Sequence, residues 1–315
     1  MKVRVWGARG SVPAPGPEMI RYGGNTSCVE LELSDGSSLI IDAGTGIRSL
    51  GVGIAAKLPK LNILLTHLHL DHVQGLMYFA LCFRSDSEIT IWGPSSPEAS
   101  LEERIARYIS APLSPVEVCE LPCDVSFLDT PAGEWEIGHA TVRAEPVIHR
   151  GPTLGYRITD GGTTLTHLSD HEPALGTPLE SLEPECISGY DLARDADLLI
   201  HDCQYTDAEY PDHVGWGHSR LTDTLTFARR VNARRLLLFH HDPLHTDDFL
   251  DAFRETATER WSQMGGNPDA IEMAAERREL QVAGPETVPA AAAAPEHPKA
   301  GSDRARPRAA PSRAE

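Results

Sequence analysis

The chain has 315 residues, 41% of them hydrophobic and 23% charged, which is the composition of an ordinary globular protein with room for a large core. Its 46 acidic residues outnumber the 28 basic ones, giving a formal charge of -18. That balance argues against a protein that wraps a long polyanion, because such binders draw their affinity from lysine and arginine at phosphates. No apolar run approaches the roughly 18 residues that a membrane crossing needs, and the start carries no basic-then-apolar leader, so a cytoplasmic location is expected.

In chain order, "MKVRVWG" reads as a strand. "SCVELEL" alternates as a half-buried strand does, "SDGS" turns it, and "SLIID" reads as its more deeply buried partner. "GIRSLGVGIAAKL" sets Ile47, Leu50, Ile54 and Leu58 on one helical face, "LNILLT" is the next strand, and "VQGLMYFALCF" predicts a buried helix. After the strand "EITIWGP", a helix over "SPEASLEERIARYIS" carries a stripe of Leu101, Ile105, Tyr108 and Ile109, followed by a Pro-rich connection. A second series of strands follows, "ATVRAEPVIH", "TLGYRI", "TTLTHLSD", "DLLIHD" and "RRLLLFHH", the last preceded by the amphipathic helix "SRLTDTLTFARRV". The six cysteines are scattered and predict buried free thiols. From residue 281 the chain turns to Ala, Pro and Arg, which predicts a disordered tail over 281–315 behind a single domain of 1–280.

Five of the apolar runs stop on His67, His149, Asp170, His201 with Asp202, and His240 with His241. Ligands gather beyond the carboxyl ends of strands in open sheets flanked by helices, so these side chains predict one pocket assembled from most of the chain. The densest stretch is "LLTHLHLDH", residues 64–72. An extended backbone sends His67 and His69 to one side, and a turn into a helix lets Asp71 and His72 face the same space. Imidazole and carboxylate in this mixture suit zinc, or manganese or iron, without any thiolate.

In this order, "GGNTSCVEL", "LIIDAGTG", "LLTHLHLDH", "VIHRGPTLGYRI", "LSD" and "LLLFHH" resemble the metallo-β-lactamase superfamily, most closely its phosphodiesterase branch with the tRNA 3′-end endonucleases and the cyclic phosphate phosphodiesterases. The resemblance implies an α/β fold, a four-layer αββα sandwich, with two divalent metal ions, zinc foremost, at one edge. It implies that His67, His69 and His149 hold one ion, that Asp71, His72 and His240 hold the other, and that Asp170 bridges them. Asp42 is a candidate to orient a ligand histidine. His240 and His241 are neighbours on a strand and point to opposite faces, so one of them binds metal, and His240 matches the family position. His167, His171 and His139 are expected to stay out of the ligand set.

Two cations sharing a hydroxide would make a nucleophile near neutral pH and match the charge that builds on phosphoryl oxygens. The leaving alkoxide needs a proton, and by resemblance Asp202 and His218, in "HDCQYTDAEYPDHVGWGHS", cooperate in supplying it, with Asp71 joining them in the catalytic set. The reading is a phosphodiesterase for a small substrate, a cyclic nucleotide or cyclic sugar phosphate, with Arg9, Arg21 and Arg150 as candidate anion-binding groups. The alternatives are tRNA 3′ processing, which the acidic body and the lack of a basic arm disfavour, and hydrolysis of a thioester, lactone or β-lactam. His213 and His245 are expected at the surface, and the resemblance implies a homodimer.

Overall fold

The computed structural model describes residues 1–54 and 60–284. Leu58 of the first helical stripe and residues 285–315 of the expected tail lie outside the described residues. The strands are β1 Lys2–Gly7, β2 Cys28–Glu32, β3 Ser38–Ile41, β4 Lys60–Leu64, β5 Glu88–Gly93, β6 Asp124–Asp129, β7 Gly133–Ile137, β8 Ala140–Pro146, β9 Leu154–Asp160, β10 Thr163–Leu168, β11 Leu198–Asp202, β12 Leu236–Phe239, β13 Ile271–Met273 and β14 Glu279–Gln281. They build two seven-stranded sheets, in the orders β14-β1-β2-β3-β4-β5-β6 and β13-β12-β11-β10-β9-β8-β7. Each sheet is mixed. In the first, β3 to β6 run parallel and β14, β1 and β2 antiparallel; in the second, β10 to β13 run parallel and β7, β8 and β9 antiparallel.

Helices cover the outer faces: α1 Gly46–Ile54, α2 Leu70–Val73 and α3 Leu101–Ala106 on the first sheet, and α4 Tyr190–Ala193, α5 Leu221–Arg230 and α6 Asp247–Gln263 on the second. The strand period of two explains the layering. Ile41 on β3 and Ile200 on β11 enter the core between the sheets, while their neighbours Ile40 and Leu199 enter the two outer cores beneath the helices. Three apolar layers therefore separate four layers of structure, which is the αββα sandwich.

Several elements differ from their sequence reading. Glu30 of β2 is 3% exposed, so that strand is buried on both faces; the carboxylate accepts from Arg4 Nη1 and Trp6 Nε1, both at 2.9 Å. The helix expected over "VQGLMYFALCF" is broken into α2 and two 3-10 turns, Leu76–Tyr78 and Ala80–Phe83. Two departures break it: Gly75 N donates to Ala43 O instead of up the helix, its backbone packed so that a Cβ would lie 2.0 Å from the Gly44 carbonyl oxygen, and Phe79 leaves the helical region at ψ 113°. The boundary expected at residue 280 falls inside β14, and the chain stays packed beyond it: Val282 N donates to Met1 O and Gly284 N to Thr163 Oγ1. Cys119 and Cys186 are exposed, against the expectation of buried thiols, whereas Cys28, Cys82, Cys123 and Cys203 are buried and free.

Among the described residues no helix is long and apolar enough to cross a membrane.

Candidate metal centre

The parallel strands of both sheets end at one edge, and the histidines and aspartates at their ends meet there. β3 delivers Asp42, the segment after β4 delivers Thr66, His67 and His69, α2 delivers Asp71 and His72, β10 is followed by Asp170, β11 ends on Asp202, and β12 is followed by His240. Asp42 and His240 leave their strands with φ of 61° and 62°, a region that non-glycine residues rarely adopt. This left-handed exit at His240 accompanies its placement against Gly10, where an added Cβ would lie 2.4 Å from the imidazole.

The donors form two adjacent groups, and in each the nearest ligand atoms all lie within 4.8 Å of one another. His67, His69 and His149 make the first, with ring centroids 4.4 to 5.1 Å apart. Asp71, His72, Asp170 and His240 make the second: His72 Nε2 lies 2.9 Å from Asp170 Oδ1, and His240 Nε2 lies 3.0 Å from Asp170 Oδ2. Asp170 thus reaches both imidazoles with separate oxygens. Asp71 Oδ2 accepts from Ser11 N at 2.7 Å and sits 3.3 and 3.4 Å from the same two nitrogens.

Buried polar atoms ordinarily find a hydrogen-bond partner, and here His67 Nε2, His72 Nε2 and His240 Nε2 do not. The two contacts to Asp170 are close without hydrogen-bond geometry, as expected for nitrogens aimed at a shared point rather than at an oxygen. The other face of each ring is fixed. His72 Nδ1 meets Asp42 Oδ2 at 2.7 Å, His149 Nδ1 meets Gly217 O at 2.8 Å, and His240 Nδ1 meets Gln204 Oε1 at 3.0 Å. Asp42 is itself held by Ser27 Oγ and by the N–H and hydroxyl of Thr66. A ring whose Nδ1–H is donated away keeps Nε2 as a lone-pair donor, which is the arrangement a divalent cation requires.

The electrostatics agree. Burial, with the neighbouring His72, holds His67 well below the ordinary imidazole range, and burial also lowers His69 and His149, so the first group offers neutral nitrogens. In the second group burial is outweighed by carboxylates: Asp170, Asp71 and Asp42 hold His72 well above its usual value, and Asp170 raises His240 to about 10. The carboxylates of this group thus favour positive charge at its centre. The residues therefore fit two divalent ions.

Beside this cluster, His218 Nδ1 donates to Asp202 Oδ2 at 2.7 Å, and Asp202 Oδ1 accepts from Gln204 N and Ser219 N. The His218 ring stacks on His240 at 4.8 Å and lies 5.0 Å from His149. Asp202 and His218 are close enough to Asp170 and His240 to form a further possible ligand group, but Asp202 Oδ2 already accepts the imidazole N–H of His218.

The expected residues Asp71, Asp202, His218, His67, His69, His72, His149, Asp170 and His240 are all brought together. Others are placed elsewhere. Arg9, a candidate anion-binding group in the sequence, is fully buried and donates to the carbonyls of Gly23, Asp242 and His245, so it ties loops together and cannot meet an anion. Arg21 is engaged by Asp248 and Asp251 of α6. Of the three arginines, Arg150 alone lines the cleft of about 400 Å³ that opens onto His67 and His69, together with Leu68, Pro94 and Arg104. His245, expected at the surface, is buried with Nε2 on Glu209, because its ring packs on Phe249; His213 is half-buried. His201 faces His171 and Phe227, and His241 reaches Ala274 O, both away from the cluster. Thr66, Gln204 and Ser11 were missed, since a hydroxyl, an amide or a main-chain N–H carries no spacing signal.

Two mixed sheets sandwiched by helices, with a histidine–aspartate cluster at one sheet edge, define a metal-dependent hydrolase of the metallo-β-lactamase type. Residues 38–241 match the beta-lactamase superfamily domain, and the chain belongs to that family, in the branch that contains the ribonucleases Z. Similar proteins include a ribonuclease Z from Gemmatimonas aurantiaca, 26% identical over 260 residues that cover 70% of this chain and 82% of that protein. The metallo-β-lactamase fold protein YhfI of Bacillus subtilis superposes with a TM-score of 0.63 at 21% identity, covering 89% of this chain and 98% of that one. Human tRNase Z, short form, superposes with a TM-score of 0.62 at 22% identity, covering 90% and 100%.

Proposed function

We propose that this chain is a dinuclear phosphodiesterase acting on a small phosphodiester, with a cyclic nucleotide as the leading substrate and zinc as the leading ion. The observation that carries the reading is the Asp202–His218 pair set against both ligand groups. His67, His69 and His149 would hold one ion, and Asp71, His72 and His240 the other, with Asp170 between them. Two such ions supply Lewis acidity toward phosphoryl oxygens and a water acidic enough to act as nucleophile near neutral pH.

The remaining work falls to the chain. Asp202 holds His218 by Nδ1–H and its carboxylate favours the imidazolium, so that with a second proton on the ring Nε2–H can pass to the departing alkoxide. Hydrolysis of a thioester makes less use of such a donor, because the departing thiolate is a far weaker base than an alkoxide. Arg150, held through Nε on Gly215 O, presents its guanidinium to the cleft and can pair with a phosphate oxygen. The cleft volume suits a nucleotide rather than a duplex. The long connection between β10 and β11 packs onto the body through Leu179, Ile187 and Leu192 instead of standing out as an RNA-binding arm. A second reading, tRNA 3′ processing, is favoured by the ribonuclease Z name of the relatives.

The test is a substrate panel with the zinc- or manganese-loaded protein: 2′,3′- and 3′,5′-cyclic nucleotides, bis(p-nitrophenyl) phosphate, pre-tRNA, a lactone and a thioester. Cyclic nucleotide turnover that outpaces pre-tRNA cleavage supports the first reading, and the reverse order supports the second. Activity on acyl substrates alone rejects both. His218→Ala is expected to lower kcat by about 10²- to 10⁴-fold with metal content unchanged. A His218 variant with normal turnover would remove the proposed proton donor.

A further inference from the structure

Glu172 is a buried carboxylate, 1% exposed, two residues beyond Asp170, whose partners are a phenol and main-chain N–H groups rather than a cation. Tyr210 Oη donates to Oε1 at 2.7 Å, Gly215 N to Oε1 at 2.9 Å and Oε2 at 3.1 Å, and Gly217 N to Oε2 at 2.7 Å. Removing a carboxylate from water is costly unless its lone pairs are satisfied, and here one loop is folded around it to do so. That loop is the segment from Gly215 to His218.

The consequences reach the site at two points. Gly217 O accepts from His149 Nδ1 at 2.8 Å, and the residue after Gly217 is His218. Gly217 has φ of 93°, and a Cβ there would lie 2.2 Å from His149 Nδ1, so the loop backbone is seated directly on the ligand ring. The segment carrying Glu172 grips the loop and the His149 segment together: Ser219 Oγ donates to His171 O at 2.6 Å, and Glu172 N donates to Ile148 O at 3.0 Å. We infer that Glu172 is a positioning residue, which by clamping the Gly215–Gly217 backbone aims His149 at the first metal group and His218 at the leaving group. The inference rests on the ligand assignment proposed above.

A neutral amide cannot reproduce the clamp. Glutamine keeps one carbonyl oxygen, which at the Oε2 position still accepts from Gly217 N and over the longer contact from Gly215 N, but its NH₂ then faces the Tyr210 hydroxyl and the closer Gly215 N–H, so the grip on the loop weakens. The experiment compares the full-length protein with Glu172→Gln. Zinc affinity is read without substrate by competition with a chromophoric chelator, using a His240→Ala background to isolate the three-histidine group and a His69→Ala background to isolate the other. The expected result is affinity about 10- to 100-fold weaker at the three-histidine group. The carboxylate-rich group should stay within about threefold of the parent, and the thermal midpoint should fall by no more than a few degrees. With a 2′,3′-cyclic nucleotide, whose departing alkoxide needs a proton as p-nitrophenolate does not, kcat should fall by more than tenfold while KM holds.

Equal weakening of both groups alongside a lowered midpoint would make Glu172 merely structural and overturn the inference, as would parental affinity at the three-histidine group. A parent protein inert toward the phosphodiester would count against the proposed function, while the affinity arm would still decide the role of Glu172. Should Glu172→Gln fail to fold, Tyr210→Phe removes one donor from the same carboxylate, and it is expected to weaken the three-histidine group in the same direction by about threefold. An unchanged affinity there would also overturn the inference.

Discussion

The central side chains owe their properties to what stands behind them. His72 presents Nε2 to Asp71 and Asp170 because its Nδ1–H is donated to Asp42, which Ser27 and Thr66 fix. Asp42→Asn replaces an acceptor-only carboxylate with an amide that can turn its NH₂ toward the ring, and the affinity of the second group for zinc is expected to fall by about 10- to 100-fold with the fold retained. Chelator competition measures this, and parental affinity would show Asp42 to be a bystander. A related prediction concerns pH. With His72 held well above its usual value and His240 at about 10, the metal-free second group carries protons that an entering cation must displace. Zinc affinity should therefore rise as pH rises across about 6 to 8, with net proton release. Titration calorimetry in buffers of different ionisation enthalpy reads that release directly; heats independent of the buffer would contradict it.

At the scale of elements, the site is a property of strand ends. Apolar runs that stop on histidine or aspartate were legible because the sequence changes character abruptly at Asp42, His67, Asp170, Asp202 and His240, and those positions lie at one edge of the two sheets. What was not legible was what depends on long-range backbone approach. Gly75 against Gly44 breaks a predicted helix, and Arg9 is buried by loops that arrive from residues 23, 242 and 245. Glu172 is the clearest case, since nothing in "LSDHEPA" announces that its partners lie at residues 210 to 217. The loop after β1 offers a prediction of the same kind. Gly10 N donates to His241 O, and a Cβ on Gly10 would meet the His240 ring at 2.4 Å. Gly10→Ala is expected to displace that imidazole and lower zinc affinity of the second group by about tenfold or more, while the three-histidine group is unaffected. Equal affinities in the variant and the parent would show that the ring has room to yield.

At the scale of the whole molecule, the sandwich explains why ligands so distant in the chain can meet. One sheet supplies Asp42, His67, His69, Asp71 and His72 from its parallel half, and the other supplies Asp170, Asp202 and His240 from its own. The apolar layer between them, including Val29, Ile41, Tyr156, Ile200 and Phe239, fixes the distance across which the two halves face each other. Tyr156 extends that layer to the site, donating from its hydroxyl to Leu65 O just before the ligand segment. The fold class, and the meeting of the candidate ligands at one edge, could be read from the sequence because the order of strand-end residues is itself the pattern of two mixed sheets. The substrate could not, because it depends on the cleft walls, and of those only Arg150 and the histidines His67 and His69 were identified from the sequence. The most direct measurement is the number of zinc ions per chain after loading and exhaustive dialysis, by elemental analysis, in the parent and in His69→Ala and His240→Ala. The account predicts about two ions per parent chain and about one in each variant, the lost ion being a different one in each. A parent chain that retains no metal, or variants that retain both ions, would contradict it.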